Sequence, residues 1–229
     1  MFEKEQQVKE VLFFMKLKTD LVIMGSGMAG ISAADAALAR GKKVIVFEKK
    51  PYQGGAVSNC PIAYVSIRKD RAFQNAAFHL LYEYSNYNAN PSVIRQYVNN
   101  SWRTKEYIER LGIKMIPTQQ LELEDIGDPK YADGFPPAVM AHGDFYLVPG
   151  RGKGHGGALI CLNAMKDIIK RGGQYMLNTP ITDILVDENG KVTGVKAVNN
   201  ETKEEIEVEC EAVIIASGGI MEDREMMKK

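Results

Sequence analysis

Apolar residues fall into two rhythms along this chain. Leu21–Met24, Val44–Phe47 and Ala212–Ala216 are continuous apolar runs, the pattern of strands buried on both faces of a parallel sheet. Ile181–Val186, Val192–Val198 and Glu205–Val208 alternate or run briefly apolar, and the turn formers Asp187-Glu188-Asn189-Gly190 and Asn199-Asn200-Glu201 separate them. That spacing predicts an antiparallel meander. Lys16–Met24 reads as one first strand, and Gln174–Asn178 as a short one. Helical stretches lie between. Met28–Arg40 is rich in alanine and stops at Gly41. Arg71–Tyr84 is a second. A third starts after Asn90-Pro91-Ser92 and runs to about Leu111, with Gly112 as its stop, and a fourth spans about Ala158–Lys170 before Gly172-Gly173. Pro117–Gly143 lacks periodicity and reads as loop with short strands.

The junction between the first strand and the first helix carries the chemistry. Leu21–Met24 opens into Gly25-Ser26-Gly27-Met28-Ala29-Gly30, and the second apolar run ends in Glu48. Strand, glycine turn, helix, strand and acid occur in the order of a dinucleotide-binding fingerprint. The first glycine permits the turn, the second lets backbone approach a pyrophosphate, and the third lets the helix pack on the strand. The helix start offers its N–H groups and dipole to phosphate. Glu48 stands where a ribose-binding carboxylate is expected. Its other reading is a solvated strand-end carboxylate beside Lys49 and Lys50. The fold predicted is α/β, a Rossmann-like nucleotide-binding domain with a mainly parallel sheet plus the antiparallel β-meander.

Composition narrows the class. The chain has 229 residues, of which 45% are hydrophobic, enough for a full core. Lys+Arg 29 balance Asp+Glu 29, which argues against a nucleic-acid surface. Cys60, Cys161 and Cys210 are far apart with no metal-ligand or disulfide spacing. No iron–sulfur, zinc or haem site and no disulfide framework is expected, and a cytoplasmic location fits. No segment has the length and apolarity of a membrane span. Val11–Met15 is too short for a signal peptide core. Residues 1–15 read as an N-terminal extension, with Met15 an alternative start, and residues 221–229 as a charged tail.

Four stretches, in order, resemble the fumarate reductase/succinate dehydrogenase flavoprotein family of FAD-dependent oxidoreductases. They are VIMGSGMAGISAADAALARGKKVIVFEKK, the glycine pair of PYQGGAVSN, GRGKGHGGALICLNAMKDIIKRGGQYMLNTPITDILVDENGKVTGVKAV, and AVIIASGGI. The resemblance covers about residues 17 to 220 and implies an FAD-binding domain over 16–220. It implies cofactor contacts from Gly25, Ser26, Gly27, Met28, Ala29, Gly30, Glu48 and Lys49. Gly54, Gly55 and Ala56 would run beside the pyrophosphate toward the flavin. Ser58 would donate to a phosphate or a flavin edge. Ile181, in Thr179-Pro180-Ile181, would hold the adenine edge, and Ala216, Ser217, Gly218 and Gly219 would pass close over the cofactor. Gly172-Gly173 reads as an ordinary turn.

Departures from the family pattern matter equally. Ala56-Val57-Ser58-Asn59-Cys60-Pro61 holds no histidine for a covalent flavin link, so FAD is expected to bind non-covalently. No redox cysteine pair is present. Lys153 of Gly150–Gly157 is not followed by Ser or Thr, against a P-loop. His155 at a helix start and His142 in a loop carry the bland readings of cap and surface residue, and Met165, Trp102 and Tyr107 those of packing residues. The family's capping domain, which carries the substrate-binding His and Arg residues and the proton donor, would begin after ASGGI, so no catalytic residue and no metal ligand is assigned here.

The implied function is FAD-dependent oxidoreduction, fumarate-reductase-like, by hydride transfer between flavin and a C=C/CH–CH small-molecule substrate. The alternative is a non-catalytic FAD-binding fragment, or a subunit needing a separate chain that supplies the capping domain. A weaker third reading, NAD binding, leaves Gly54-Gly55 and Gly218-Gly219 without a role.

Overall fold

The computed structural model describes residues 14–59, 63–119, 144–147, 156–219 and 226–228. These divide into two units, 1–57 with 164–229, and 58–163.

The first unit is built on two sheets. β2 (Leu21–Met24) and β3 (Val44–Phe47) pair in parallel, flanked by β11 (Ala212–Ile215) and β7 (Gln174–Met176), in the order β11-β2-β3-β7. The continuous apolar runs therefore form the parallel sheet, as their pattern requires. The second sheet, β1-β10-β9-β8, contains β8 (Ile181–Val186), β9 (Val192–Val198) and β10 (Glu205–Glu209) as the antiparallel meander, with β1 (Phe14–Lys18) parallel to β10. Val22, Ile45 and Phe47 on one face of the parallel sheet pack with Val195, Ala197, Ile206 and Val208 of the mixed sheet. Each valine, isoleucine or phenylalanine among them contributes roughly 1.5–3 kcal/mol by its burial. Helix α1 (Met28–Leu38) packs against β2 and β3 and buries Gly30, Ile31, Ala34 and Ala37.

Lys16–Met24 is not one strand. The chain leaves the mixed sheet after Lys18 and enters the parallel sheet at Leu21. Thr19 N–H donates to Glu209 O (3.0 Å) and Glu211 N–H to Asp20 O (3.1 Å). The Asp20 carboxylate accepts from Lys43 N–H at 2.8 Å. These bonds hold the transfer between sheets, and they suit its two halves. Lys16-Leu17-Lys18 alternates, as a half-exposed strand does, whereas Leu21–Met24 is continuous.

The second unit holds α2 (Arg71–Tyr84), α3 (Pro91–Asn100), α4 (Trp102–Arg110) and a small sheet of β4 (Ala63–Ser66), β6 (Asp144–Leu147) and β5 (Ile116–Gln119), in the order β4-β6-β5. Asp70 caps α2 by accepting from Phe73 N–H (2.8 Å), and Asn90 caps α3 by accepting from Ser92 N–H (2.9 Å), with Pro91 in the first turn. Ile67, Phe73, Ala77, Ile94 and Val98 form its core. The sequence reads α3 and α4 as one helix. The structure breaks it at Ser101, which is buried and whose hydroxyl accepts from Ile67 N–H at 2.9 Å. Helix α5 (Gly156–Lys170) contributes residues to both units.

Candidate functional site

The glycine turn lies where α1 meets the C-terminal ends of β2 and β3. Gly25 has φ +103°, a conformation that favours glycine, and its N–H donates to Phe47 O at 2.7 Å. A Cβ on Gly25 would stand 2.5 Å from Ala216 O and 3.1 Å from Ser217 Cα. The segment after β11 is thus seated directly on the turn, and Ala216 N–H donates to Met24 O at 2.8 Å. A Cβ on Gly30 would fall 1.9 Å from Gly25 O. Gly30 is therefore the close-packing glycine between helix and strand. Gly27 differs from both, because a Cβ there meets nothing within 4 Å.

Gly27 is the N-cap of α1 and gives no side-chain cap, and the first helical turn holds no acid. The first intrahelical bond of α1 runs from Ile31 N–H to Gly27 O, and the N–H groups ahead of it have no intrahelical acceptor. Gly55 closes the other side, with its Cβ position 3.6 Å from Gly27 Cα. Open space at Gly27, uncapped donors and two glycine turns in contact suit a diphosphate.

Glu48 is buried at the end of β3, 6% exposed. Its Oε2 accepts from Ser26 N–H (3.0 Å) and from Ser26 Oγ–H (2.7 Å), and its Oε1 accepts from Lys50 N–H (3.0 Å). The solvated-carboxylate reading does not describe this residue. Ser26 Oγ also accepts from Gly54 N–H at 3.0 Å. One fully buried hydroxyl thus ties the fingerprint turn, the strand-end acid and the second glycine pair together.

The segment after β7 runs beside the same acid. Asn178 N–H donates to Lys50 O and Thr179 N–H to Glu48 O, each at 2.8 Å. Thr179 is buried, and Asn199 Nδ2 donates to its Oγ1 at 3.2 Å. Ile181, two residues on, starts β8 and pairs with Ala197.

Of the sequence-assigned residues, Gly25, Ser26, Gly27, Gly30, Glu48, Gly54, Gly55, Ala216 and Ser217 converge in this cluster. Met28 and Ala29 form the first turn of α1, and Gly218 and Gly219 follow Ser217 with open Cβ positions. Lys49 and Ala56 are exposed, and Ser58 is buried in the second unit. Thr179 lies in the segment Thr179-Pro180-Ile181 that the sequence gives to the adenine edge, although Ile181 is the residue singled out there, and Asp20 has no site role assigned from sequence. Their signal is positional: Thr179 precedes the β8 strand, and Asp20 precedes the fingerprint strand. Gly173 is a packing glycine rather than a mere turn, since its Cβ would stand 2.6 Å from Ile168 Cγ2. His142, His155 and Cys60 lie outside the described residues. Among the described residues no cluster of His, Cys, Asp and Glu suits a metal ion, and no helix is long and apolar enough to cross a membrane.

A parallel sheet with a glycine turn at its carboxyl edge and a buried acid on the next strand defines a Rossmann-like nucleotide-binding domain. Residues 20–229 match the model of the FAD binding domain family, and the chain belongs to that family. It is 31% identical over 219 residues to an NADH:fumarate oxidoreductase of Klebsiella pneumoniae (strain 342), covering 92% of this chain and 21% of that protein. It is 28% identical over 218 residues to a fumarate reductase (cytochrome) of Shewanella frigidimarina, covering 92% of this chain and 35% of that one. The fold superposes on a 3-ketosteroid-Δ4-(5α)-dehydrogenase of Rhodococcus jostii RHA1 with TM-score 0.72 at 19% identity, over 98% of this chain and 50% of that one. The open form of a flavocytochrome c3 fumarate reductase gives TM-score 0.72 at 18% identity, over 92% and 35%. The chain thus spans well under half the length of these curated relatives.

Proposed function

We propose that this chain is the nucleotide-holding part of an FAD-dependent, fumarate-reductase-like oxidoreductase, and that it binds FAD non-covalently. The observation that carries this reading is the pairing of a buried, triply hydrogen-bonded Glu48 with the open, uncapped turn at Gly27. The first-turn N–H groups of α1 hold the diphosphate, with its negative charge at the positive end of the helix. Glu48 accepts from the ribose, and Thr179–Ile181 lines the adenine side. Gly54-Gly55 and Ser217–Gly219 admit the backbone close to the cofactor without side-chain interference. When bound, FAD supplies hydride transfer to or from a C=C/CH–CH substrate, while the protein supplies position and electrostatics.

A second reading is a non-catalytic FAD-binding fragment, or a subunit completed by a chain that carries the substrate-binding groups. Its support is the share of the relatives' length that this chain spans, 21% to 40%. The two readings share the cofactor site and differ in turnover. The test is a visible spectrum of the purified chain after FAD is added and the excess removed, followed by an assay with reduced flavin and fumarate. A retained flavin band released intact by denaturation supports the site and the non-covalent mode. No retained band overturns both. Steady fumarate reduction by the 229-residue chain overturns the second reading.

A further inference from the structure

We infer that Ser26 is a positioning residue that couples the ribose anchor Glu48 to the Gly54-Gly55 turn, so that the two contacts to FAD form cooperatively. The inference rests on the FAD reading above for its ligand, and on the hydrogen-bond geometry for its mechanism. A serine hydroxyl carries one proton. Here that proton goes to Glu48 Oε2 at 2.7 Å, which leaves the oxygen lone pairs to receive Gly54 N–H at 3.0 Å. Ser26 is fully buried and Glu48 nearly so, so neither bond is exchanged cheaply for one to water. The direction of the hydroxyl is therefore set by the carboxylate, and the position of the Gly54 amide is set by the hydroxyl.

The coupling reaches the phosphate side. Gly54 and Gly55 both have positive φ, +109° and +49°. Gly55 lies against Gly27, the open position of the fingerprint turn. A displaced Glu48 carboxylate therefore loosens the turn that faces Gly27, and a displaced Gly54 turn weakens the donor that orients Glu48. Chains of hydrogen bonds in a buried setting reinforce one another in this way. Glu48 receives a second donor from the Ser26 backbone, and this bond survives any side-chain change. Removing the hydroxyl thus breaks the link between the two contacts while one Ser26 bond to Glu48 remains.

The test uses Ser26→Ala, Glu48→Gln and the double variant. Two quantities are read: hydrogen exchange of the Gly54 amide in FAD-free protein, and FAD affinity by quenching of flavin fluorescence. Ser26→Ala is expected to speed Gly54 exchange at least about tenfold, with the amides of β2 and β3 unchanged, and to weaken FAD binding about tenfold. Glu48→Gln is expected to speed Gly54 exchange as well, through the Ser26 hydroxyl that both groups share. The double variant is expected to bind FAD about as weakly as the poorer single variant, the mark of two groups acting as one. Unchanged Gly54 exchange in either single variant overturns the coupling, as do affinity losses that simply multiply. Faster exchange across both strands, with a lowered Tm, marks a merely structural serine and also overturns it. If the unaltered chain binds no FAD while Gly54 exchange responds as described, the coupling stands and the FAD reading falls.

Discussion

The two units are held by different means. Around the glycine turn, main chain packs on main chain: Gly25 on Ala216 and Ser217, Gly30 on the Gly25 carbonyl, Gly55 on Gly27. Around α2 and α3, ordinary side chains fill the space, with Phe73, Ile94 and Val98 buried and Asp70 and Asn90 closing the helix starts. Backbone-to-backbone contact has no slack, because no rotamer can move aside. Side-chain packing can redistribute volume. The first unit should therefore fail when one carbon is added at Gly25 or Gly30, and the second only on removing many.

The sharpest break in that contrast is Gly30→Ala. Its new carbon is placed 1.9 Å from Gly25 O, and we expect a loss above about 3 kcal/mol in urea unfolding, at the high end for overpacking. A loss below about 1 kcal/mol would remove the basis of the comparison. In the second unit, Phe73→Ala should cost about 3 kcal/mol and Phe73→Leu under about 1.5 kcal/mol by the same measurement. If leucine is as damaging as alanine there, the second unit is as unforgiving as the first.

Gly27→Ala separates binding from folding. Nothing lies within 4 Å of the added carbon, so unfolding should shift by no more than about 0.5 kcal/mol. FAD affinity should nevertheless fall about tenfold or more, because the methyl group enters the space assigned to the diphosphate. The smallest effect concerns Cys161, whose thiol burial pushes up to about 11 from 9.0. The folded state holds this proton more tightly than the unfolded one. Its contribution is fully present below pH 9 and is lost as pH rises toward 11. Unfolding free energy measured at pH 8 and pH 10.5 should fall more in the unaltered chain than in Cys161→Ala.

Much of this arrangement is legible in the residues. Continuous runs gave parallel strands at β2, β3 and β11, alternation gave the meander, and Arg71–Tyr84 emerges with the predicted ends. The glycine spacing anticipated which position packs and which stays open. The misses share a physical cause, since each depends on a partner distant in sequence. Nothing local in Lys18-Thr19-Asp20 announces that Glu209 and Lys43 will hold a change of sheet. Ser101 reads as a tolerable helix residue until Ile67 N–H needs an acceptor. Ser26 reads as a small residue between glycines, and only the fold brings Glu48 and Gly54 to its hydroxyl.

The pairing of β1 with β10 and of β2 with β11 bears on how the chain comes to be folded. Phe14 meets Glu205 and Leu21 meets Ala212, and the Lys18–Glu209 contact closes a separation of 191 residues. β1 leaves the ribosome long before β10 exists, and β2, which finds β3 early, keeps its other edge open until β11 emerges. Loop closure of that length is slow, and unpaired strand edges invite association meanwhile. Synthesis at low temperature, or with a holdase that shields β1 and β2 until Ile215 has emerged, should therefore raise the yield of folded chain more than any change at the surface of the finished molecule.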